Sequence, residues 1–374
     1  MTTPYYVGLM SGTSLDGLDI ALCRFNSEGF VSVVHAQTVP LPPPLCQELS
    51  NLSQQNRLNE KHLLAVADRR FGLFCGKAVN AFLATHAIPR QRVVAIGSHG
   101  QTVQHSPDSD PAYTTQIGCP ATIAATTGID VVSNFRQKDV ALGGQGAPLA
   151  PAFHQAIVTP SATVQGVLNI GGIANLTVLS ATNDVTGFDT GPGNCLLDSW
   201  FNMHHPDSAT HYDADGIFAT QGDVLQELLV RLKQDPYFAK QGPKSSGREY
   251  FHLAWLHEHL RGNENPADVQ RTLLELTACT IASQIQEHQV RQCYVCGGGV
   301  HNSLLYQRLE ALVAAPDNGC TMARSSVLGV DPDWVEAAAF AWLAWCFMQQ
   351  RPSSLASVTG ASRNAILGGL FPAT

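Results

Sequence analysis

A strand, a turn of small residues and a second strand occur twice in this chain. That doubled pattern restricts the possible folds more than any other feature. The first copy is Tyr5-Tyr6-Val7, then Gly8–Asp19 (GLMSGTSLDGLD), then Ile20–Phe25. The second runs from Val167 to Leu179 and turns at Gly171-Gly172. β-prone runs joined by glycine-bearing turns read as hairpins. Helix-periodic sequence follows each copy: residues 43–86 after the first, 223–233 and 266–290 after the second. A theme used twice in 374 residues favours two α/β domains over one. The shift in composition at 129–150, with a flexible Gly143–Pro148 loop, suggests a junction there.

Charge and cysteine usage exclude several classes. Hydrophobic residues make up 44% and charged residues 14%, enough apolar material for large cores. The net charge of −8 comes without a basic block, which argues against a nucleic-acid partner. Ten cysteines are scattered along the chain rather than spaced as a disulfide framework. Cys293 and Cys296 form a CxxC, but they lack a second pair and sit in a strand-like run, so a structural role is expected. His204, His205 and His211 with Asp213 and Asp215 fit no standard zinc spacing. No secretory signal is evident, and the longest apolar stretch, near Val335–Met348, is short for a membrane span and carries Glu336. A reducing cytoplasm and no membrane partner are the expectation.

Four small-residue turns end strands, at 11–17, 171–175, 190–194 and 297–302. Uncovered backbone N–H groups in such turns can approach a phosphate closely. None is a P-loop, and none is a dinucleotide fingerprint in a βαβ unit. What remains is a cleft between duplicated halves, with one hairpin from each half holding phosphates. A further run, Val93–Gly97, reads as a buried strand. His99 and Gln101 follow at its carboxyl end, where ligands sit in open α/β sheets. Asp189 lies before a Gly-Pro-Gly turn and a helix. By itself that placement is equally an Asx turn or an N-cap.

Seven motifs in order carry a resemblance. They are Gly8–Asp19, Ile96–Thr102 (IGSHGQT), Gly143–Leu149 (GGQGAPL), Leu168–Asn175 (LNIGGIAN), Gly187–Asn194 (GFDTGPGN), Gly242–Glu249 (GPKSSGRE) and Cys296–Asn302 (CGGGVHN). Together they resemble the sugar kinase, actin and chaperone ATPase superfamily, and within it the anhydro-N-acetylmuramic acid kinase family. The resemblance implies an actin-like ATPase fold: two lobes, each a ribonuclease-H-like mixed sheet flanked by helices, with a nucleotide cleft between them. Residues 1–128 plus 350–374 would form the first lobe and 129–349 the second.

The implied reaction opens the internal bridge of 1,6-anhydro-N-acetylmuramic acid with water and phosphorylates O6 from ATP, in reuse of cell-wall amino sugars. Asp189 matches the family's catalytic base. Gly12, Thr13, Ser14, Asp16, Gly17 and Asp19 would form one ATP-binding hairpin, and Gly171, Gly172 and Asn175 the other. Gly297, Gly298, Gly299 and Asn302 would lie under the nucleoside. Gln101, Arg136 and Glu336 would bind the sugar, with Arg248 a rival for its carboxylate. Mg2+ is implied by the phosphoryl chemistry; no residues are assigned as its ligands, although Asp16 and Asp19 suit its water shell. The family suggests a homodimer, with 223–233 and 266–290 as surfaces. The alternatives are a kinase for another sugar, an ATP-switched interaction module, and a hydrolase using Asp189 and Glu336 as a carboxylate pair.

Overall fold

The computed structural model describes residues 4–12, 15–53, 60–182, 184–240, 247, 250–314 and 319–374. Thr13, Ser14 and Arg248 lie outside the described residues, as does most of the Gly242–Glu249 motif. The strands are β1 Tyr5–Met10, β2 Gly17–Phe25, β3 Phe30–Pro40, β4 Val93–Ser98, β5 Gln101–Ser106, β6 Tyr113–Ile117, β7 Val131–Ser133, β8 Gln165–Ile170, β9 Ile173–Leu179, β10 Val185–Pro192, β11 Gln292–Cys296, β12 Thr321–Arg324 and β13 Gly369–Phe371. The chain divides into two compact units. Unit 1 is Met1–Val158, Leu328–Val330 and Trp334–Thr374; unit 2 is Thr159–Val327 and Asp331–Asp333.

Both expected hairpins form, and each starts a sheet built in the same order. In unit 1, β1, β2 and β3 are an antiparallel meander, and β4 and β7 add in parallel beside β1. The short β13 completes the order β13-β7-β4-β1-β2-β3. In unit 2, β8, β9 and β10 are the meander, and β11 and β12 add in parallel beside β8. The order is β10-β9-β8-β11-β12. These are the two mixed sheets flanked by helices, and the doubled sequence theme is a doubled topology. β5 and β6 form a separate two-stranded ribbon in unit 1.

Small residues let one helix lie directly on the unit 1 sheet. A side chain at Gly8 in β1 would strike the Ala337 carbonyl oxygen, and one at Gly97 in β4 the Phe340 carbonyl oxygen. The helix Val335–Met348 answers with Ala337, Ala338, Ala341 and Ala344, all buried. Its first turn carries Glu336 to the Asp19 end of the sheet, close enough for the two carboxylates to repel. Unit 2 is organised around the helix Pro266–Glu287, whose Leu273, Leu274, Leu276, Ala278 and Ile281 enter the core with Leu168, Ile170, Leu176 and Val295.

Several expectations change here. Residues 129–158 and the helix Val335–Met348 belong to unit 1, not to the second lobe, because β7 pairs with β4 and that helix covers β1 and β4. The Gly143–Pro148 loop is pinned: Gly146 N–H donates to Asp139 Oδ2 at 2.8 Å and Gln145 N–H to the Thr359 carbonyl at 2.7 Å. Residues 187–192 are strand, not turn. The Pro266–Glu287 helix, a candidate dimer surface, buries many of its residues in the unit 2 core. Asp213 serves its own loop, accepting from Phe218 N–H at 2.8 Å and Ala219 N–H at 3.0 Å. Among the described residues no three metal-ligating side chains gather.

His154, in the buried helix Ala150–Ile157, is pushed down to about 3 by burial. It is neutral when folded and protonates when unfolded below about pH 6.5. Its depressed folded pKa means the unfolded state binds the extra proton between those values. Stability therefore falls as pH drops from about 6.5 towards 3, by up to about 1.4 kcal/mol per pH unit. The urea midpoint should drop between pH 7 and pH 5, and His154→Leu should shrink that drop. An undiminished drop would mean that His154 is not held neutral.

Candidate active site

Unit 1 collects polar side chains where β1 ends and β4 passes into β5. His99 follows β4, its backbone N–H bound to the Leu9 carbonyl at 3.1 Å and its ring 4.8 Å from that of Phe340. Arg136 stands on the short helix Phe135–Ala141. Its Nε donates to His99 Nε2 at 3.0 Å and its Nη1 to the Gly146 carbonyl at 2.8 Å. Among the described residues no carboxylate lies within ion-pair distance of this guanidinium. Its hydrogen bonds go to neutral acceptors, while the carboxylates of Glu336 and Asp139 favour its charge from a distance and burial opposes it.

The neighbouring groups respond to that charge. Burial drives His99 well below the usual imidazole range, and Arg136 drives it further; the backbone of Gly100 and Ser11 opposes. His105 is lowered by burial and by Arg136. Glu336 remains open to solvent, yet protein crowds it, and lost hydration holds its carboxyl above the usual carboxylate range. Arg136 pulls it down, and Asp19 pushes it up. Asp19 is fixed by Thr38 across β2 and β3, whose hydroxyl donates to its Oδ1 at 2.6 Å. Asp16 is exposed in the turn.

Buried polar atoms lacking partners cluster in the same place. Ser11 Oγ, His99 Nδ1 and Gln101 Oε1 make no hydrogen bond of ordinary length and angle with the described residues. All three residues are at most 5% exposed. A buried, unsatisfied polar atom costs about 1–3 kcal/mol. Three along one sheet end indicate a surface shaped for a polar ligand. Gln101 is among the sugar-binding residues expected from the sequence; Ser11 is not.

Unit 2 sets its polar residues in a row. Asp189 on β10 is opposite Asn175 on β9, which is opposite Asn169 on β8, which is beside Cys296 on β11. Directly opposed residues share a sheet face with Cβ atoms about 4.5–5.5 Å apart. Asp189 is thus a strand residue; the cap position of the following helix, Cys195–His204, belongs to Asn194. A register shift between Asp189 and Gly191 bends β10 just beyond the carboxylate. Tyr237 anchors the spot, donating its hydroxyl to the Asp189 carbonyl at 2.9 Å.

Two motifs lock together beneath that row. Gly193 N–H donates to the Gly172 carbonyl at 2.9 Å and Asn194 N–H to the Gly171 carbonyl at 2.8 Å. Thr277 Oγ1 holds the Pro192 and Gly193 carbonyls, each at 3.1 Å. The glycines then separate into two kinds. Gly297, at φ +82°, and Gly299 are demanded by packing, since a side chain at the first would strike Asn169 Oδ1 and at the second Ile170. Gly298 faces open space, and a Cβ at Gly171 would meet nothing nearer than 3.6 Å. The protein itself leaves those two positions uncovered. Asn302 uses its Oδ1 to cap the helix Ser303–Val313, accepting from Leu305 N–H at 3.1 Å.

The structure therefore gathers Gln101, Arg136, Glu336 and Asp19 in unit 1, and Asp189, Asn175 and the Gly171-Gly172 turn in unit 2. Asn169 is not among the site residues expected from the sequence; the Asn-x₅-Asn spacing across a two-glycine hairpin is the signal that pairs it with Asn175. Comparison with known proteins agrees across the full length. The profile of the family described as anhydro-N-acetylmuramic acid kinase matches residues 4–373. Proteins of that name are 48% identical in Shewanella pealeana, over 100% of both chains, and 46% identical in Idiomarina loihiensis, over 97% of each. One from Xanthomonas campestris pv. campestris is 47% identical over 99% of this chain and 98% of its own.

Proposed function

This chain belongs to the anhydro-N-acetylmuramic acid kinase family, and from that premise we propose how its own residues carry the reaction. It is a phosphotransferase that uses ATP to convert 1,6-anhydro-N-acetylmuramic acid into N-acetylmuramic acid 6-phosphate, in cell-wall recycling. Water attacks the anomeric carbon and the bond from that carbon to O6 breaks. O6 takes the γ-phosphoryl group, and ADP leaves. The water oxygen stays on the anomeric carbon, and one water proton passes to the base.

Asp189 is that base. Its place in a polar row beside the glycine platform, on a strand held by Tyr237, supports the role. Arg136 receives the lactyl carboxylate, because its charge has no ion-pair partner among the described residues and its planar fork suits a carboxylate. Gln101 and Glu336 bind sugar polar groups. The turns at 12–17 and 171–172 take phosphates, and Gly297–Gly299 the nucleoside. Mg2+ would neutralise phosphate charge. Asp16 and an Asp19 steadied by Thr38 would hold its water shell, since such an ion needs few carboxylates from the protein. We also propose a cytoplasmic location, which ten free cysteines suit, and a homodimer, which only the family resemblance suggests.

The glycine geometry makes one expectation sharp. Gly171→Ala should fold normally but raise the KM for ATP roughly ten-fold, because the methyl meets the ligand rather than the protein. Thermal melting and ATP titration read this directly; an unchanged KM would remove Gly171 from the nucleotide site. The reaction itself is tested by product stoichiometry. ADP and 6-phosphosugar should form one to one, with no ring opening when ATP is withheld. Ring opening without ATP would make the protein a hydrolase instead.

A further inference from the structure

His99 holds Arg136 in a way the reaction scheme does not require. A guanidinium has five N–H groups and no acceptor. Here Nε is taken by His99 and one Nη1 hydrogen by the Gly146 carbonyl, so the remaining three lie on Nη1 and Nη2. An imidazole nitrogen that accepts from Arg136 cannot carry a proton, so His99 is neutral with its hydrogen on Nδ1. The ring cannot easily turn away: it is 5% exposed, packed against Phe340, and its backbone N–H is bound to Leu9. A carboxylate in its place would have neutralised Arg136. A hydrocarbon would have left Nε–H unsatisfied. A neutral imidazole orients the cation without adding to the negative charge that Glu336 and Asp139 already place near it, and leaves the outer N–H groups for a ligand.

We propose that His99 is a positioning residue that sets the Arg136 guanidinium in the orientation that selects sugars bearing a carboxylate. This rests on the assignment of Arg136 to the lactyl carboxylate. The specificity follows from the geometry. With Nε held, the outer Nη1 and Nη2 edge is presented as a fork to the anion. Without His99, Arg136 keeps its charge but loses its fixed plane, so binding of the carboxylate suffers more than binding of the rest of the sugar.

The test compares kcat/KM for 1,6-anhydro-N-acetylmuramic acid and for 1,6-anhydro-N-acetylglucosamine, which lacks the lactyl group, in the full-length protein. The readout is the ratio between the two sugars. His99→Leu should reduce that ratio about ten-fold, mostly through KM for the acidic sugar. His99→Gln, whose amide oxygen can accept in place of Nε2, should restore it to within about three-fold of the parent. If His99→Leu does not fold, His99→Asn, too short to reach Arg136 Nε, carries the same expectation. Equal losses on both sugars, or an unchanged ratio, would overturn the proposal and leave His99 a packing residue. Arg136→Ala separates the two levels. If it collapses the ratio while the His99 variants do not, only the His99 proposal falls. If it leaves the ratio intact, the carboxylate assignment falls and the His99 proposal with it.

Discussion

Asp189→Asn should lower kcat by about 10³-fold, within the range spanned by loss of a general base, while the affinities for ATP and sugar stay within a few-fold of the parent. The substitution keeps size and hydrogen-bonding capacity and removes basicity. The surroundings should hold the Asn in place. β10 remains paired with β9 on both sides of the position, and the Tyr237 hydroxyl donates to the backbone carbonyl there, a bond the substitution keeps. Melting temperature should therefore hardly move. A variant that melts like the parent, binds both substrates and does not turn over assigns the defect to the chemical step. A variant that turns over within ten-fold of the parent would remove Asp189 from the role of base.

Arg136→Ala should reduce kcat/KM for the acidic sugar by about 10²-fold, chiefly through KM, because a charge-assisted bond to a carboxylate is lost. A second consequence separates this from a simple loss of contact. Arg136 lowers the Glu336 carboxyl against the desolvation and the Asp19 repulsion that raise it. Without Arg136 the Glu336 pKa moves further up. Any step that needs ionised Glu336 then fails at a higher pH, so the acid limb of the pH–rate profile should shift towards neutrality. An acid limb that stays put would mean that Glu336 does not act as a carboxylate in turnover.

The hairpins were legible because glycine interrupts β-prone runs at Gly12, Gly17 and Gly171-Gly172, and the turn chemistry is local. The repeated theme predicted two similar halves, and two sheets of one strand order are what formed. Membership of units was not legible from local signals. β7 and the helix Val335–Met348 join unit 1 through non-local parallel pairing and through close seating on Gly8 and Gly97. The same holds at the site. Asp189 stood out as a strand-end carboxylate in a small-residue motif, but its alignment with Asn175 and Asn169 depends on register. Arg136 could be named for its chemistry. That its Nε rests on a neutral histidine required β4 and the Phe135–Ala141 helix to be placed together. Asn302 shows the reverse: a residue in a ligand-like motif whose side-chain oxygen caps a helix.

The coupling of bridge opening to phosphorylation is tested most directly by running the reaction with ATP, Mg2+ and 1,6-anhydro-N-acetylmuramic acid in oxygen-18 water and weighing the product by mass spectrometry. Rapid quenching and fragmentation locate the label before it exchanges through ring opening of the free sugar. One heavy oxygen at the anomeric position, none in the phosphate, and no product from Asp189→Asn is the expected result. A 6-phosphosugar whose anomeric oxygen is unlabelled, or ADP formation that leaves this sugar unchanged, would contradict hydrolytic opening coupled to phosphoryl transfer.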